Sequence, residues 1–281
     1  GSEMCIRDRN TALLMQTTRN HQKSNLTTVT GDTVTFSGIV STYGIGSSLV
    51  VDGTTILLTR DTPILEVSPY PISALYGSAI ALGSSRTESL TLAGTVASVS
   101  LVDGTDTEVS LDGSAITLQN GAVATGNGAA LTIGSAGVTK TLTGDLTATD
   151  KGVVTATLSG TYTGDAVASD AGTLSLRAGA AEGNLTSTGS GSTLTATVSG
   201  AAVGDASAAE SGNLTLTTGS LTGDLTTSDS GTLAATVSHT FTGKTTDDAD
   251  TMTLTLSSGA TWNLTDSSTV STLNAEGGLL A

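Results

Sequence analysis

An all-β chain, folded as a parallel β-helix with coils of about twenty residues, is predicted by three features of this sequence. The first is a Gly-polar word at Gly144-Asp145, Gly164-Asp165, Gly183-Asn184, Gly204-Asp205, Gly223-Asp224 and Gly243-Lys244, with spacings of 20, 19, 21, 19 and 20 residues. Self-similarity at that period marks a solenoid of stacked units. The second is alternation: in VVTATL, Val154, Ala156 and Leu158 point one way and Thr155 and Thr157 the other, the period of a half-buried strand. The third is composition, with 35 Gly, 3 Pro, 12% charged and 2% aromatic residues in 281, too apolar for a disordered chain and too short of helix signals for a helical repeat.

The opening 1–23, GSEMCIRDRNTALLMQTTRNHQK, is basic where the rest is acidic, and it carries the lone Cys, Cys5. Its longest apolar run, ALLM, is too short for a secretory signal, so it is set aside as a leader or non-native segment, disordered. Residues 24–281 form one β-helix domain. Within it, 24–75 holds an irregular cap and, near 61–75, a protruding loop with all the prolines, Pro63, Pro69 and Pro71. Less regular coils follow over 76–141, regular coils over 142–262 and a last coil over 263–281.

Inside each regular coil the inward positions are Leu174, Leu176 and Ala178, then Leu194, Ala196 and Val198, and so on to Met252, Leu254 and Leu256. The position after the Gly-polar word runs Leu146, Ala166, Leu185, Ala206, Leu225, while the middle of the next strand runs Ala156, Leu176, Ala196, Leu216, Ala235. Large answers small in every coil, as two positions sharing a narrow interior must to hold its volume constant. The repeating unit is then a pair of coils. A third inward series is Tyr162, Ala181, Ala202, Leu221, Phe241 and Trp262, which places the aromatics in the core.

The closing words SGATWNLTDSSTVSTLNAEGG resemble a phrase recurrent in pertactin-like bacterial autotransporter passenger domains, with the match on Gly259, Trp262, Leu264, Thr265, Ser268, Val270 and Leu273. The earlier FSGIVSTYGIGSSLVVDG and YPISALYGSAIAL resemble the same surface repeat proteins. The resemblance implies a right-handed β-helix at the bacterial cell surface or secreted, an adhesin or stalk. It implies as partner a host or neighbouring-cell receptor or glycan. It also implies that the chain is the N-terminal part of a larger one ending in an outer-membrane translocator.

Chemistry is weighed against this. A net charge of −15 argues against nucleic acid as a partner, and no apolar run approaches the ~20 residues of a spanning helix. A β-helix polysaccharide enzyme needs clustered carboxylates; the best cluster is Asp247, Asp248 and Asp250, also weak metal candidates, and a solvated acidic turn is the expectation for it. No nucleophile or Cys/His metal motif occurs, and His239 has no recognisable partner, so no catalytic residue and no cofactor is expected. Two acid series, Asp145/Asp165/Asp205/Asp224 and Asp150/Asp170/Glu210/Asp229, could stack as calcium ladders, but Asn184, Lys244 and Ser190 interrupt them. The outward pairs Thr155/Thr157, Thr195/Thr197, Thr215/Thr217 and Thr253/Thr255 resemble the Thr-x-Thr faces of ice-binding β-solenoids, the alternative function, though Arg177 and Ala234 break the ranks. Four Asn-Leu-Thr sequons, at Asn25, Asn184, Asn213 and Asn263, carry weight only in a eukaryotic secretory route.

Overall fold

A computed structural model describes residues 6–7, 13–16, 25–37, 40–43, 47–59, 72–75, 78–93, 99–102, 107–277 and 279–280. The described residues form strands joined by turns, without helices, and every strand pairing is parallel, as the sequence predicts. In the regular region one coil has three strands. Val153–Thr157 lies on what we term face 1, Thr161–Thr163 on face 2 and Ala166–Ser169 on face 3. The coil ahead stacks on it in register, Val153 to Thr173, Thr161 to Ala180 and Ala166 to Leu185. Face 3 is a sheet of 11 strands, which at ~4.8 Å per strand makes a rod on the order of 50 Å long. Faces 1 and 2 form one further sheet of 20 strands, because long strands such as Thr193–Val203 and Thr232–Gly243 bend round the corner between them.

The inward columns are those that the alternation predicts. Leu146, Ala166, Leu185, Ala206 and Leu225 are stacked partners, as are Ala156, Leu176, Ala196, Leu216 and Ala235, and all ten are buried. Each coil therefore carries one Leu and one Ala at these two levels, on faces 3 and 1. The third series is one column on face 2, from Leu142 through Tyr162, Ala181, Ala202, Leu221 and Phe241 to Trp262. Phe241 and Trp262 stack with ring centroids 5.3 Å apart, and the indole N–H donates to the Gly243 carbonyl at 3.0 Å. The Tyr162 hydroxyl donates to the Asp165 carbonyl at 2.8 Å, and its burial, reinforced by the charges of Asp145 and Asp165, pushes it above the ordinary phenol range.

The N-terminal third is more regular than expected. Asn25–Ser37 and Ser47–Thr59 are strands of 13 residues paired almost throughout, where an irregular cap was expected. Ile72–Leu75, within the expected loop, is a face-3 strand between Val40–Tyr43 and Val99–Val102; the three prolines lie outside the described residues. Within the segment set aside as a leader, Ile6–Arg7 pairs with Phe36 and Ser37, and Leu13–Gln16 with Val40–Tyr43. The ladders thus continue into a stretch that composition separates from them.

Candidate functional site

Eight of the twelve carboxylates in residues 142–262 lie at two corners of the coils. Between faces 2 and 3 each coil turns on the Gly-polar word. The glycines from Gly144 to Gly243 have φ between 130 and 158°, and a Cβ on any of them would lie 2.0–2.4 Å from a carbonyl oxygen of the coil behind. Both facts demand glycine. The polar residue that follows then spans coils. Asp145 Oδ1 accepts from the Asp165 N–H at 2.8 Å, Asp165 from Asn184 at 2.7 Å, Asn184 from Asp205 at 3.0 Å, Asp205 from Asp224 at 2.8 Å and Asp224 from Lys244 at 3.0 Å. At a corner the backbone N–H would lack a sheet partner, and the side chain supplies one. An amide oxygen serves as well as a carboxylate and the final donor needs only its backbone, so Asn184 and Lys244 break a charge series without breaking an acceptor series.

The corner between faces 3 and 1 uses acids differently. In Thr149-Asp150-Lys151-Gly152 the Gly152 N–H bonds the Thr149 carbonyl at 2.9 Å, with φ of 48 and 67° at the two central residues. This is a type I′ turn, which favours Asp and Asn at its first central position. Asp170, Glu210 and Asp229 hold the same place with φ of 48–50°. Ser190 interrupts the series because its corner is built otherwise, on Gly189, Gly191 and a Ser192 hydroxyl bonded to the Thr188 and Gly189 carbonyls.

The candidate trio does not act together. Asp248 and Asp250 are exposed, whereas Asp247 points inward, at the end of the column Ala148, Ala168, Ser187, Ala208, Thr227, and is only 8% exposed. The solvated turn expected there is corrected for this residue. Oδ1 accepts from the Thr227 hydroxyl at 2.5 Å and the Thr251 N–H at 3.1 Å; Oδ2 accepts from the N–H of Ser271 at 2.8 Å and of Met252 at 3.2 Å, and from the Ser271 hydroxyl. Burial pushes this carboxyl up, but the Ser271 and Thr227 hydroxyls and the backbone donors outweigh it and hold it below the usual carboxylate range. The same segment is fastened four times more, by Thr245 N–H on the Ser268 hydroxyl at 3.1 Å, Asp247 N–H on the Thr269 hydroxyl at 2.8 Å, the Thr245 hydroxyl on the Thr269 carbonyl at 2.7 Å and Thr269 N–H on the Thr245 carbonyl at 2.9 Å. Residues 266–271 therefore cover the edge where the face-3 ladder stops, and Asp247 is the pin. Among the described residues no three His, Cys, Asp or Glu come together as a metal would require. His239 is exposed, its Nδ1 3.3 Å from both the Ser238 hydroxyl and the Gly219 carbonyl.

The Thr ranks fall where the alternation places them. Thr155, Thr195, Thr215 and Thr253 share a face-1 column with Thr132, Ser175, Ala234 and Thr272; Thr157, Thr197, Thr217 and Thr255 share the next with Arg177, Thr236 and Asn274. Hydroxyls are then spaced ~4.8 Å along the rod and ~6.6 Å across it. On face 3 several hydroxyls are internally bonded, Ser169 to Thr149, Ser207 to Thr186 and Thr188 to Glu210. On face 1 only Thr255 of the eight candidates meets a side chain, Asn274 Nδ2 at 3.4 Å; the other seven hydroxyls find no partner among the described residues. Sequence reasoning missed three carboxylate sites: the inward Asp247, the buried Asp112, which accepts from the Ser135 hydroxyl at 2.6 Å and the Ala136 N–H at 2.8 Å, and an upstream tie in which Asp52 receives the Ser84 hydroxyl at 2.6 Å and Arg86 at 2.8 Å. The Ser84 hydrogen bond, aided by Arg86 and opposed by partial burial, holds Asp52 below the usual carboxylate range. Its sequence signal was the Asp-Gly word, read as a turn.

What the fold defines is a parallel β-solenoid with hydroxyl-rich faces that carry few charges, Glu108 and Arg177 on face 1 and Glu182 on face 2 among them, and acidic corners. No family model, curated protein or solved structure matches the chain.

Proposed function

We propose that this chain is a non-catalytic rod of a bacterial cell-surface or secreted protein, with a structural or adhesive role. The observation that carries the reading is how the polar side chains are spent. The corner acids hold backbone N–H groups or occupy type I′ turns, and the one buried carboxylate of the terminal coils is filled by five donors. Groups so committed keep coil on coil and hold a shape, while the sparsely charged faces are left to meet whatever the rod touches. Its partner would be a receptor or glycan of a host or neighbouring cell.

Antibody against the purified chain, applied to the cells that carry its gene, tests the location. Labelling of intact cells is expected; labelling only after permeabilisation refutes it. Beads coated with the chain test the role, adhesion to cells above an albumin-coated control marking an adhesin and equal retention a stalk. The ice-binding alternative is favoured by the unpartnered face-1 hydroxyls and weakened by Arg177 and Ala234 within the ranks. Thermal hysteresis at high protein concentration would decide for it, and its absence against.

A further inference from the structure

Charge is distributed unevenly around the rod, and face 1 lies across the gradient. Over Gly152 to Gly277 its first edge, shared with face 3, carries Asp170, Glu210, Asp229 and Asp250. Its opposite edge, shared with face 2, turns on Ser159-Gly160, Gly179, Ser199-Gly200, Gly219, Ser238-His239 and Ser258-Gly259 and carries a single carboxylate, Glu276, at its last coil. Of the basic side chains in that range, Arg177 and His239 sit on this second edge and Lys244 on neither, while Lys151, just ahead of the range, stands beside Asp150 on the first edge and offsets one of its acids. The centre column between the edges, from Thr132 to Thr272, is uncharged. Face 1 thus has a negative edge, a neutral hydroxyl-and-methyl middle and an edge with its basic groups.

Such a face is self-complementary under one of the two symmetric ways of laying two rods together. A two-fold axis across the rods makes them antiparallel and sets acidic edge on acidic edge. A two-fold axis along the rods makes them parallel, exchanges the edges, and brings Arg177 of each copy toward Asp170 of the second copy in the same coil. Coil spacing is identical in the two rods, so hydroxyl ranks meet in step, and a hydroxyl both donates and accepts. Nine face-1 strands, from Thr107–Leu111 to Thr272–Ala275, offer about 800 Å² on each copy at ~20 Å by ~40 Å, the usual size for a specific interface. We propose that face 1 is a self-association surface that joins two copies side by side, parallel and in register.

The test uses the whole chain in a Cys5→Ser background, over about 1 to 100 µM by sedimentation velocity. A dimer mass that grows with concentration is expected. Thr195→Cys, on the centre column, should oxidise to a covalent dimer, whereas Thr147→Cys, on face 3, should not. Arg177→Glu should weaken association about tenfold, two symmetric contacts at about threefold each, and Asp170→Asn added to it should recover part of the loss. Far-UV circular dichroism unchanged from the parent confirms each variant as folded. A monomer throughout, or cross-linking at Thr147→Cys as fast as at Thr195→Cys, overturns the proposal and leaves the surface-rod reading standing.

Discussion

Gly204→Ala is the sharpest probe of the corner. The Cβ it adds would lie 2.2 Å from the Gly183 oxygen and 2.6 Å from its carbon, both backbone of the coil behind. A carbon and an oxygen rest no closer than about 3.2 Å, so the corner has to open by about 1 Å. The Asp205 N–H to Asn184 Oδ1 bond, 3.0 Å long, spans the same gap and would be lost, at about 1 kcal/mol. Alanine at φ 130° adds about 1–3 kcal/mol of backbone strain, and residual overpacking another 1–3 kcal/mol or so. The expected total is about 3–7 kcal/mol. Gly259→Ala is the control, since Gly259 has a φ of 82° and open space around its would-be Cβ; strain alone should cost it about 1–2 kcal/mol. Urea titration followed by far-UV circular dichroism measures both, as a shifted midpoint at unchanged slope. A Gly204→Ala midpoint within about 0.5 kcal/mol of the parent, or no worse than that of Gly259→Ala, would refute the claim that coil approach dictates glycine here.

Three further outcomes follow from the same geometry. Asp205→Asn should be neutral within about 0.5 kcal/mol while Asp205→Ala costs about 1–2 kcal/mol; equal melting temperatures for the two would show that the acceptor ladder does not hold the corner. Asp247 has a folded-state pKa below its unfolded value of about 3.9, so its contribution is complete above that pH and is lost as pH falls through the lower, folded value. Emission of the single tryptophan, Trp262, should therefore report an acid transition below about pH 4. Asp247→Ala should destabilise the terminal coils by about 2–5 kcal/mol, leaving its donors unpaired, and an unchanged acid profile in Asp247→Asn would count against the pin. Removing residues 185–224, a pair of coils, sets Leu225 on Ala166, Ala235 on Leu176 and Phe241 on Ala181, keeping the alternation. Removing 185–205, one coil, sets Ala206 on Ala166 and Leu216 on Leu176, and should lower the urea midpoint further than the longer deletion does.

Much of this was legible in the sequence because parallel stacking repeats each coil's environment almost unchanged. Leu176 and Ala196 lie in the same environment one coil apart, so period and alternation together locate every inward position from Val154 to Leu256. Asp247 was hidden by its neighbours. Beside Asp248 and Asp250 it reads as one member of an acidic run, and its partners Thr269 and Ser271 come from a segment with no strand pattern. The signal was present in the alternation: Leu225 and Thr227 point inward, and one coil later Thr245 and Asp247 take their places. The corner acids were found, but their role was obscured by attention to charge. Asn184 looked like a gap in a cation site, yet it is a full member of a ladder of oxygen acceptors.

That distinction bears on why so acidic a chain can stack at all. Carboxylates one strand spacing apart repel, and in a solenoid the repulsion recurs at every coil. In the ladder between faces 2 and 3 each carboxylate turns Oδ1 onto the N–H of the next coil, so part of its charge is met by a backbone dipole, and the interposed Asn184 removes one charge from the series. In the type I′ turns the acids project from exposed corners, where water screens them. At these two corners charge either accepts a needed hydrogen bond or is solvated. Two carboxylates are buried among the described residues, and both are met by donors: Asp112 by the Ser135 hydroxyl and the Ala136 N–H, and Asp247, where the ladder of face 3 ends, by the unpaired donors of the final turn. The sparse charge of the faces follows from the same constraint. Outward side chains in a column have a like neighbour at every coil, so a charge there would repeat unrelieved, whereas Thr offers β-propensity, a methyl and a hydroxyl without that cost. A rod built under this rule presents sparsely charged, regularly ridged faces to its surroundings, and contacts made there depend chiefly on shape and hydroxyl register.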